Sequence, residues 1–342
     1  MKSKYHQIKQ QLLQFPKKWL ITGVAGFIGS NLLETLLRLN QEVIGLDNFS
    51  TGYKSNLDEV KDFVSEDQWK NFVCIEGDIK NLDNCRACCS EVDYVLHNAA
   101  ITSVPWSVDD PIFVNENNVT GFLNMLITAQ AAKIKKFIYA SSCAVYGDLH
   151  KSLKIEDKIG NFVSPYAITK YTNELYAKIF TKIYGLETIG LRYFNVFGKR
   201  QDFRGSEAPV IPLWFREMIT DKKIFINGSR EISRDFCYID DCVQANILAA
   251  CSDRKAVNCI YNIGSGKEIN LYDLFKIMKE LVERTCKKDN IPEPLYREFR
   301  KGDVKYFLAD IEKAKQGINY LPKWSLSLGL EETAKWYINK IN

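Results

Sequence analysis

The apolar residues in the first two-thirds of the chain follow two alternating patterns. Short apolar runs, each of the length of a buried strand, occupy residues 19–22, 42–47 and 136–142. Between such runs, apolar residues recur three and four positions apart, as in residues 30–40 and 121–134, which is the spacing of a helix packed on one face. Strands that alternate with helices predict an α/β fold, a Rossmann-like doubly wound parallel sheet with helices on both faces.

The pattern changes near residue 199, where a stretch that contains Gly205 and Pro209 has the character of a loop, and shorter elements follow it. We therefore predict a Rossmann domain over residues 1–198, with later segments around 235–262 returning to it. Residues 199–342 are predicted to form a smaller α/β region that lies over the strand ends and binds the substrate.

Composition and charge narrow the class of protein. The formal net charge of +4 over 342 residues is small, so it predicts no nucleic-acid partner, although it suits an anionic small substrate. No apolar stretch approaches the ~20 residues of a membrane span, so no membrane association is expected, and the basic N-terminal segment lacks the apolar core of a signal peptide. Ten cysteines without an export signal indicate free thiols in a reducing cytoplasm, where we expect the protein to reside.

The cysteines at positions 85, 88 and 89 form the pattern that comes closest to a metal site. The chain has no second CxxC segment and only three histidines, so we expect no metal there. A helix with small buried side chains is the prediction for Cys85, Cys88 and Cys89.

A glycine-rich turn stands between a predicted strand and a predicted helix, with Gly23, Gly26 and Gly29 in the spacing GxxGxxG. Backbone N–H groups at such a turn point toward a dinucleotide pyrophosphate, and side chains would block its approach. Asp47 ends the next strand, where a carboxylate would accept hydrogen bonds from the adenosine ribose and repel the 2′-phosphate of NADP. The combination predicts an NAD site, whereas a glycine turn alone would also suit an ordinary strand–helix connection.

Tyr166 and Lys170 lie four residues apart in the segment SPYAITK. Side chains at i and i+4 lie over each other on a helix surface, and a cation beside a phenol favours the phenolate. The pKa of a free phenol, about 10, is too high for a base at neutral pH, so the pair could form a tuned acid–base group. A surface helix that carries both residues by chance is the alternative.

Several segments together resemble the extended short-chain dehydrogenase/reductase family. They are the glycine turn, HNAA at 97–100, SSCAVYG at 141–147, YAITK at 166–170 and RYFNVFG at 192–198. The resemblance covers nearly the whole chain. Within the family, the segments DNFSTG, SVPWSVDDP and SRDFCYIDD make the chain most similar to UDP-hexose 4-epimerases, and especially to the bacterial UDP-N-acetylglucosamine 4-epimerases of surface-polysaccharide pathways.

The resemblance implies a role for each residue that matches a family motif. Tyr166 would be the acid–base, Lys170 would hold the nicotinamide ribose and lower the pKa of the tyrosine, and Ser142 would hydrogen-bond the reacting oxygen. The implied contacts of NAD are Gly23, Gly26, Phe27, Ile28, Gly29, Asp47, Asn48, Ser50, Asp78, Ile79, Ala99, Ala100, Asn118, Tyr166, Lys170 and Phe194. The implied contacts of the UDP-sugar are Ser103, Ser142, Cys143, Tyr166, Asn195, Arg234, Arg300 and Phe307. Taken singly, Asn118 could cap a turn, Phe194 could be a core residue, and each arginine could be a surface residue.

The implied reaction is epimerisation at C4 of a UDP-sugar, through oxidation to a 4-keto sugar and reduction on the opposite face, with NAD regenerated in each cycle. The sugar would be N-acetylglucosamine or N-acetylgalactosamine, with glucose or galactose as the further possibility, and the family habit implies a homodimer. The alternatives are dehydration, decarboxylation or epimerisation of a modified or acidic sugar nucleotide, net dehydrogenation with release of NADH, and non-catalytic NAD binding. Related dehydratases have an Asp–Glu pair where this chain has Cys143 and Ala144, which argues against dehydration.

The predicted sugar pocket departs from the most similar subgroup at several positions. Phe307 corresponds to the family position beside the C2 substituent, where small residues admit a 2-acetamido group and tyrosine excludes it. Thr102 stands where glycine is usual, Cys143 where serine is usual, and Pro209 where alanine is usual. Two interpretations stay open: a reshaped pocket that still takes the acetamido sugar, which we favour, and a preference for the plain hexose or another variant.

Overall fold

The computed structural model describes residues 3–149, 153–205, 208–229, 231–298 and 306–341 of the chain. Within these ranges the strands are β1 (Lys18–Thr22), β2 (Glu42–Asp47), β3 (Phe72–Glu76), β4 (Tyr94–His97), β5 (Lys136–Ser142), β6 (Leu153–Lys154), β7 (Thr188–Tyr193), β8 (Val196–Phe197), β9 (Phe225–Asn227), β10 (Ser233–Asp235), β11 (Cys237–Tyr238), β12 (Cys259–Ile263), β13 (Glu268–Asn270), β14 (Leu295–Arg297) and β15 (Tyr306–Ala309).

The helices of the same ranges are α1 (Lys4–Gln14), α2 (Phe27–Arg38), α3 (Lys54–Phe63), α4 (Glu66–Trp69), α5 (Leu82–Cys88), α6 (Val104–Asp109), α7 (Pro111–Asn115), α8 (Gly121–Ala131), α9 (Pro165–Tyr184), α10 (Val210–Ile219), α11 (Ile239–Ala250), α12 (Leu271–Cys286), α13 (Glu312–Ile318) and α14 (Leu326–Ile341). A π-helical turn, Glu116–Thr120, joins α7 to α8, and 3₁₀ turns occupy Cys143–Tyr146 and Arg254–Ala256. Among these helices, none has both the length and the apolar character needed to cross a membrane.

Seven parallel strands form the central sheet, in the order β12-β7-β5-β4-β1-β2-β3. The strand order reverses between β1 and β4, which is the crevice where open α/β sheets bind ligands. The predicted doubly wound fold is confirmed. The edge strand β12 starts within residues 235–262, ends at Ile263 and pairs with β7. This later part of the chain therefore belongs to the central sheet.

A second, mixed sheet has the order β13-β10-β15-β6, with β10 antiparallel to β13 and parallel to β15. Its strand β6 comes from residues before 198, whereas the other three come from residues after 199. Two further parallel pairs, β11 with β8 and β14 with β9, complete the sheets of the described ranges. The chain therefore crosses between the two predicted regions more than once.

The inner strands of the central sheet are buried on both faces, whereas its edge strand β3 is largely exposed. Side chains of the inner strands alternate between two apolar clusters. Trp19 and Ile21 belong to one cluster with Leu36 of α2, whereas Leu20 belongs to the other with Phe122 of α8. Successive side chains of a strand point to opposite faces, so a continuous apolar run such as β1 serves two helical layers. This is why the inner strands of the sheet read as unbroken apolar runs.

Local signals fix the helix α9, which carries the YxxxK segment. The hydroxyl of Ser164 caps it by accepting a hydrogen bond from the N–H of Ala167 at 3.2 Å, and Pro165 occupies the first helical position. Both residue types are favoured at a helix start. Gly185, with a φ of 73°, ends the helix in the left-handed conformation that glycine adopts without strain. Tyr166 therefore lies in the first turn, directly beyond a cap that fixes its orientation.

The cysteine cluster lies on α5 and directly after it, as predicted for small buried side chains. Cys85, Cys88 and Cys89 are almost fully buried, and burial raises the pKa of Cys85 and of Cys88 to about 12. These thiols are consequently neutral core residues at physiological pH.

Candidate active site

A cavity of about 740 Å³ opens at the carboxyl ends of β1, β2, β4 and β5, and the second sheet and α10 contribute to its far wall. The predicted site residues that line it are Gly23, Gly26, Phe27, Ile28, Gly29, Asp47, Asn48, Ser50, Ile79, Ala99, Ala100, Ser142, Cys143, Tyr166, Lys170, Asn195, Arg234 and Phe307. Four predicted residues, Asp78, Ser103, Asn118 and Phe194, are described but do not line it. Arg300 lies outside the described residues.

The glycine turn leaves no room for side chains. Gly23 has a φ of 71°, and a Cβ atom on it would lie 2.8 Å from the backbone nitrogen of Ala99. A Cβ atom on Gly29 would collide with the carbonyl of Gly23. Gly26 precedes α2 without a capping side chain, so the first N–H groups of this helix, beside the cavity, have no side-chain acceptor. The partial positive charge of a helix N-terminus favours an anionic group there.

Asp47 ends β2 beside this turn and is buried. Its Oδ2 accepts a hydrogen bond from the N–H of Ala25 at 2.8 Å, and its Oδ1 accepts one from the N–H of Phe49 at 2.9 Å. Burial raises the pKa of Asp47, and the two backbone hydrogen bonds oppose the rise. Each carboxylate oxygen retains a lone pair for a ribose hydroxyl. The turn, the uncapped helix start and this carboxylate fit a dinucleotide.

Asp78 orients a cavity residue from outside the cavity lining. Its Oδ2 accepts a hydrogen bond from Nδ2 of Asn48 at 3.0 Å, and its Oδ1 accepts one from the N–H of Lys80 at 2.8 Å. The neighbouring Ile79 lines the cavity. The predicted contact of Asp78 with adenine stays a prediction.

Asn118 lies in the π-helical turn and holds the loop that carries Ala99 and Ala100. Its Oδ1 accepts from the N–H of Ile101 at 2.8 Å, and its Nδ2 donates to the carbonyl of Ile101 at 2.9 Å and to the hydroxyl of Thr169 at 3.1 Å. Asn118 thus ties the cofactor side of the cavity to α9. The structure gives it a positioning role behind the cavity surface.

Tyr166, Ser142 and Lys170 converge where β5 ends and α9 begins. The hydroxyl of Ser142 lies near the phenol of Tyr166 and acts to lower its pKa. Lys170 donates from Nζ to the carbonyl of Ala140 at 3.0 Å, and this nitrogen lies 5.9 Å from the centre of the Tyr166 ring. The N–H of Tyr166 donates to Oγ of Ser107 at 3.1 Å, so the short helix α6 also positions the tyrosine.

Burial dominates the electrostatics of this group. Burial raises the pKa of Tyr166 to about 12, and the neighbouring Ser142 hydroxyl only partly opposes the rise. Burial also lowers the pKa of Lys170 to about 8. Removing both groups from water disfavours the charged form of each, and the lowering of the tyrosine pKa by Lys170 stays a prediction.

The far half of the cavity brings together the residues predicted to surround the sugar. The Phe307 ring lies between two cations, with Nζ of Lys154 5.1 Å and the guanidinium carbon of Arg234 5.5 Å from its centre. Thr102, Cys143 and Pro209, the other departures from the subgroup, also line the cavity. Burial raises the pKa of Cys143 to about 11, so its thiol is neutral at physiological pH.

Two residues that were predicted to contact ligands, Phe194 and Ser103, lie outside the cavity lining. Phe194 is fully buried, and its ring packs edge-to-face on Phe307 with the ring centres 6.5 Å apart. Ser103 caps α6 by accepting a hydrogen bond from the N–H of Trp106 at 3.1 Å. Both support cavity residues, and their direct contact with a ligand stays a prediction.

Residues 19–264 match the NAD dependent epimerase/dehydratase family. The chain belongs to this family. The solved structures that resemble this chain include several UDP-sugar 4-epimerases. NAD is the cofactor of the family. The glycine turn and Asp47 accord with that cofactor.

Three solved structures illustrate the relationship. UDP-glucose 4-epimerase from Thermotoga maritima, solved with UDP-glucose, is 34% identical with a TM-score of 0.85, covering 95% of this chain and 100% of that chain. UDP-N-acetylglucosamine 4-epimerase from Methanobrevibacter ruminantium, solved with UDP-N-acetylmuramic acid, is 35% identical with a TM-score of 0.86, covering 95% and 99%. UDP-glucuronic acid 4-epimerase from Bacillus cereus, solved with UDP-glucuronic acid and NAD, is 29% identical with a TM-score of 0.82, covering 94% and 99%. This chain is thus an enzyme of the UDP-sugar 4-epimerase family.

Sequence reasoning missed part of the cavity lining of this epimerase-family chain. The missed residues include members of the loop after β2, the start of α3, the loop after β8, the start of α10 and the link from β10 to β11: Thr51, Gly52, Tyr53, Asn56, Arg200, Gln201, Asp202, Val210, Ile211, Pro212 and Phe236. The segments DNFSTG and RYFNVFG lead directly into two of these loops. The position of these loops beside recognised segments was the available signal. Their contacts with the rest of the cavity form only when the chain folds.

Proposed function

We propose that this chain interconverts UDP-N-acetylglucosamine and UDP-N-acetylgalactosamine by epimerisation at C4. The observation that carries the reaction type is the convergence of Tyr166, Ser142 and Lys170 in one cavity with the glycine turn. The acetamido sugar is supported by the segments DNFSTG, SVPWSVDDP and SRDFCYIDD, which contribute Asp47, Ser107 and Arg234 to the site or its supports. The similarity to a UDP-N-acetylglucosamine 4-epimerase supports it further.

The side chains act through proton transfer and positioning. Tyr166 would take the proton of the sugar 4-hydroxyl at its phenolic oxygen and return it after the sugar has turned over. Ser142, whose hydroxyl lies near this phenol, would hold the reacting oxygen beside it. NAD held at the glycine turn and Asp47 would supply hydride exchange at C4, and its positive charge would add to that of Lys170 in favouring the Tyr166 phenolate.

The pKa of Tyr166 explains why the phenolate needs positive charges beside it. With a pKa of about 12, the phenol is almost entirely protonated at neutral pH. Lys170, with a pKa of about 8, is mostly charged at the same pH and can support a phenolate when one forms. The site would therefore become a competent base as cofactor and cations act together.

Substrate binding would draw on the C-terminal region. We assign Arg234 and Arg300 to the diphosphate of the UDP-sugar, because guanidinium groups bind phosphate oxygens bidentately. We likewise assign residues 1–198, with the returning segment around 235–262, to NAD binding and residues 199–342 to the sugar nucleotide. The cavity supports this division, since Arg234 and Phe307 line its wall opposite the glycine turn.

A second candidate substrate pair is UDP-glucose and UDP-galactose. Phe307 supports this pair, because its ring lines the cavity and the family resemblance implies that bulk at this position excludes the acetamido group. Dehydration is disfavoured by Cys143 and Ala144, since a neutral thiol and a methyl group cannot serve as the acid and base that it requires.

A homodimer is part of the proposal. One face of α9 exposes Ile168, Leu175, Ile179 and Ile183, and Ile127 on α8 is exposed as well. Contiguous apolar side chains on a helix surface favour burial against a partner. A second copy of the chain, docked through α8 and α9, would cover them.

The test is to incubate the purified protein with UDP-glucose, UDP-galactose, their N-acetyl forms and UDP-glucuronate without added NAD, and to separate the products. Conversion of the N-acetyl pair in both directions is expected, without growth of NADH absorbance. Conversion of the plain hexoses alone would favour the second candidate. Accumulation of NADH with substrate would indicate a net dehydrogenase and contradict the proposal.

A further inference from the structure

One cluster between the cavity and solvent is not assigned by any part of the proposed mechanism. The phenol of Tyr53 donates a hydrogen bond to Oδ2 of Asp202 at 2.9 Å, across 149 positions of sequence. Arg204 stacks on the Tyr53 ring, with its guanidinium carbon 3.7 Å from the ring centre, and donates from Nε to Oδ1 of Asp202 at 3.1 Å. We name Tyr53, Asp202 and Arg204 the latch. Tyr53 and Asp202 line the cavity, whereas the Arg204 side chain is 52% exposed.

The Tyr53 side of the latch is attached to the glycine turn. The N–H of Tyr53 donates to the carbonyl of Ala25 at 3.1 Å, and Nδ2 of Asn56 donates to the same carbonyl at 2.8 Å. The N–H of Ala25 in turn donates to Asp47. Tyr53 is therefore linked through one residue to the carboxylate and to the turn that fit the dinucleotide.

The Asp202 side is attached to the opposite wall. Before Asp202, the fully buried Arg200 pairs with Glu34 of α2. After it, Arg216 of α10 donates from Nη1 to the carbonyl of Phe203 at 2.7 Å. With the loop anchored on both sides, the contact with Tyr53 links α10, at the substrate end of the cavity, to the turn at the cofactor end.

We propose that the latch retains NAD in the cavity between turnovers. This inference rests on the proposed function in one respect, which is the reason for retaining the cofactor. Epimerisation returns the hydride within each cycle, so the enzyme gains nothing from cofactor release. Tyr53 and Asp202 both line the cavity, so a dinucleotide seated on the turn would lie beside the bridge that they form. Its departure requires that bridge to open.

A simple surface ion pair is the competing explanation for the same contacts. Exposed pairs such as Asp202 with Arg204 contribute little by themselves, because water and salt screen them. The latch differs because one carboxylate receives both the phenol and the guanidinium, while the guanidinium also covers the aromatic ring. Cation–π contact and a hydrogen bond to an ionised acceptor reinforce each other in this geometry.

The test is the rate at which NADH leaves the purified full-length protein. NADH is loaded into the protein, excess NAD is added, and the loss of energy transfer from tryptophan to bound NADH is followed. Tyr53→Phe keeps the ring beneath Arg204 but removes the hydrogen bond. We expect about tenfold faster release, the effect of losing about 1.4 kcal/mol from a hydrogen bond to a charged acceptor.

Asp202→Ala should accelerate release at least as much, and the double variant should add little, because both changes remove one contact. Arg86→Ala is the matched control, since it removes an exposed Asp–Arg pair of 2.8 Å on α5, away from the cavity lining. Higher ionic strength should accelerate release from the wild type more than from Asp202→Ala, because screening weakens the charged contact.

Release rates for Tyr53→Phe and Asp202→Ala within about twofold of Arg86→Ala would overturn the proposal, as would fully additive effects in the double variant. If Asp202→Ala loses thermal stability, Tyr53→Phe decides alone, because it removes a single hydroxyl. Failure of the proposed function has a separate signature: the sugar assay yields no epimer, while the NADH release rates still depend on the latch.

Discussion

The Lys170 ammonium lies 5.9 Å from the centre of the Tyr166 ring, one helical turn further along α9, and donates its hydrogen bond to the carbonyl of Ala140. The phenol and the ammonium are both buried. Burial raises the pKa of Tyr166 and lowers the pKa of Lys170, because it disfavours the charged form of each group. At neutral pH the phenol is therefore protonated, and the ammonium is mostly charged although its pKa lies much closer to neutrality than usual. Such tuned groups in a cavity are typical of sites that transfer protons.

Replacing Tyr166 with phenylalanine should lower kcat by about 10²–10⁴-fold, because the proton acceptor and donor is lost while the ring still fills its site. NAD content, read from the absorbance of the denatured protein, should stay near that of the wild type. Tyr184→Phe, a change at an exposed position near the end of α9, is the control. Activity of Tyr166→Phe close to that of the control would refute the assignment.

Replacing Lys170 with methionine should change how stability depends on pH. Burial lowers the pKa of Lys170 from 10.5 to about 8. Between these values the unfolded chain holds a proton that the folded protein has lost, so stability rises with pH across the window. The destabilisation by charged Lys170 is complete below about pH 8 and is relieved as the pH approaches 10.5.

Lys170→Met carries no such proton, so its stability relative to the wild type should fall by roughly 3 kcal/mol as the pH rises from about 7 to about 10.5. Urea unfolding of both proteins, freed of NAD, measures the difference. Other titrating groups are shared and cancel. The unpaired carbonyl of Ala140 in the variant adds only a constant offset. A difference that does not vary with pH would contradict the shifted pKa of Lys170.

The sequence contained enough information for the sheet and for the cofactor half of the site. The run at 136–142 coincides with β5, because a strand buried on both faces needs a continuous apolar segment. The glycine turn and Asp47 were likewise recognisable, since their constraints act within a single strand–turn–helix unit. Signals of this kind are local, and local signals survive in a single sequence.

The contacts that the sequence could not predict join distant segments. The role of Asn118 depends on Ile101 and Thr169, which reach it only in the folded chain. The pairing of β6 with β15 depends on residues more than a hundred positions apart. The i,i+4 spacing of Tyr166 and Lys170 predicted the charge effect but not the burial, and burial dominates the pKa of the tyrosine. Spacing reports proximity, whereas desolvation depends on everything packed around the pair.

Asp47 should decide between NAD and NADP. Asp47→Asn removes the negative charge but keeps one oxygen to accept from Ala25 or Phe49, so the loop geometry is disturbed less than by alanine. The ratio of NADP affinity to NAD affinity should rise by about tenfold or more, since repulsion between like charges is removed. Calorimetric titration with both cofactors gives the ratio, and Asp83→Asn on the exposed side of α5 is the control. An unchanged ratio would mean that Asp47 only supports the turn.

Phe307 should limit turnover of the N-acetyl substrates. Its ring is only 8% exposed, faces the cavity, and is held by Phe194 on one side and by the cations of Lys154 and Arg234 around it. A ring fixed in this way cannot easily move aside for an acetamido group. Phe307→Ser should therefore raise the ratio of kcat/KM for UDP-N-acetylglucosamine to that for UDP-glucose.

Removing one steric contact in a pocket is worth ~1–3 kcal/mol, so the ratio should rise by about 10–200-fold. The ratio separates the steric effect from any general loss of activity, because a weakened wall would lower both values of kcat/KM together. Phe307→Tyr keeps the bulk of the ring and should leave the ratio at or below that of the wild type. If serine and tyrosine give the same ratio, the acetamido group approaches a different wall of the cavity, and Thr102, Cys143 and Pro209 become the positions to vary.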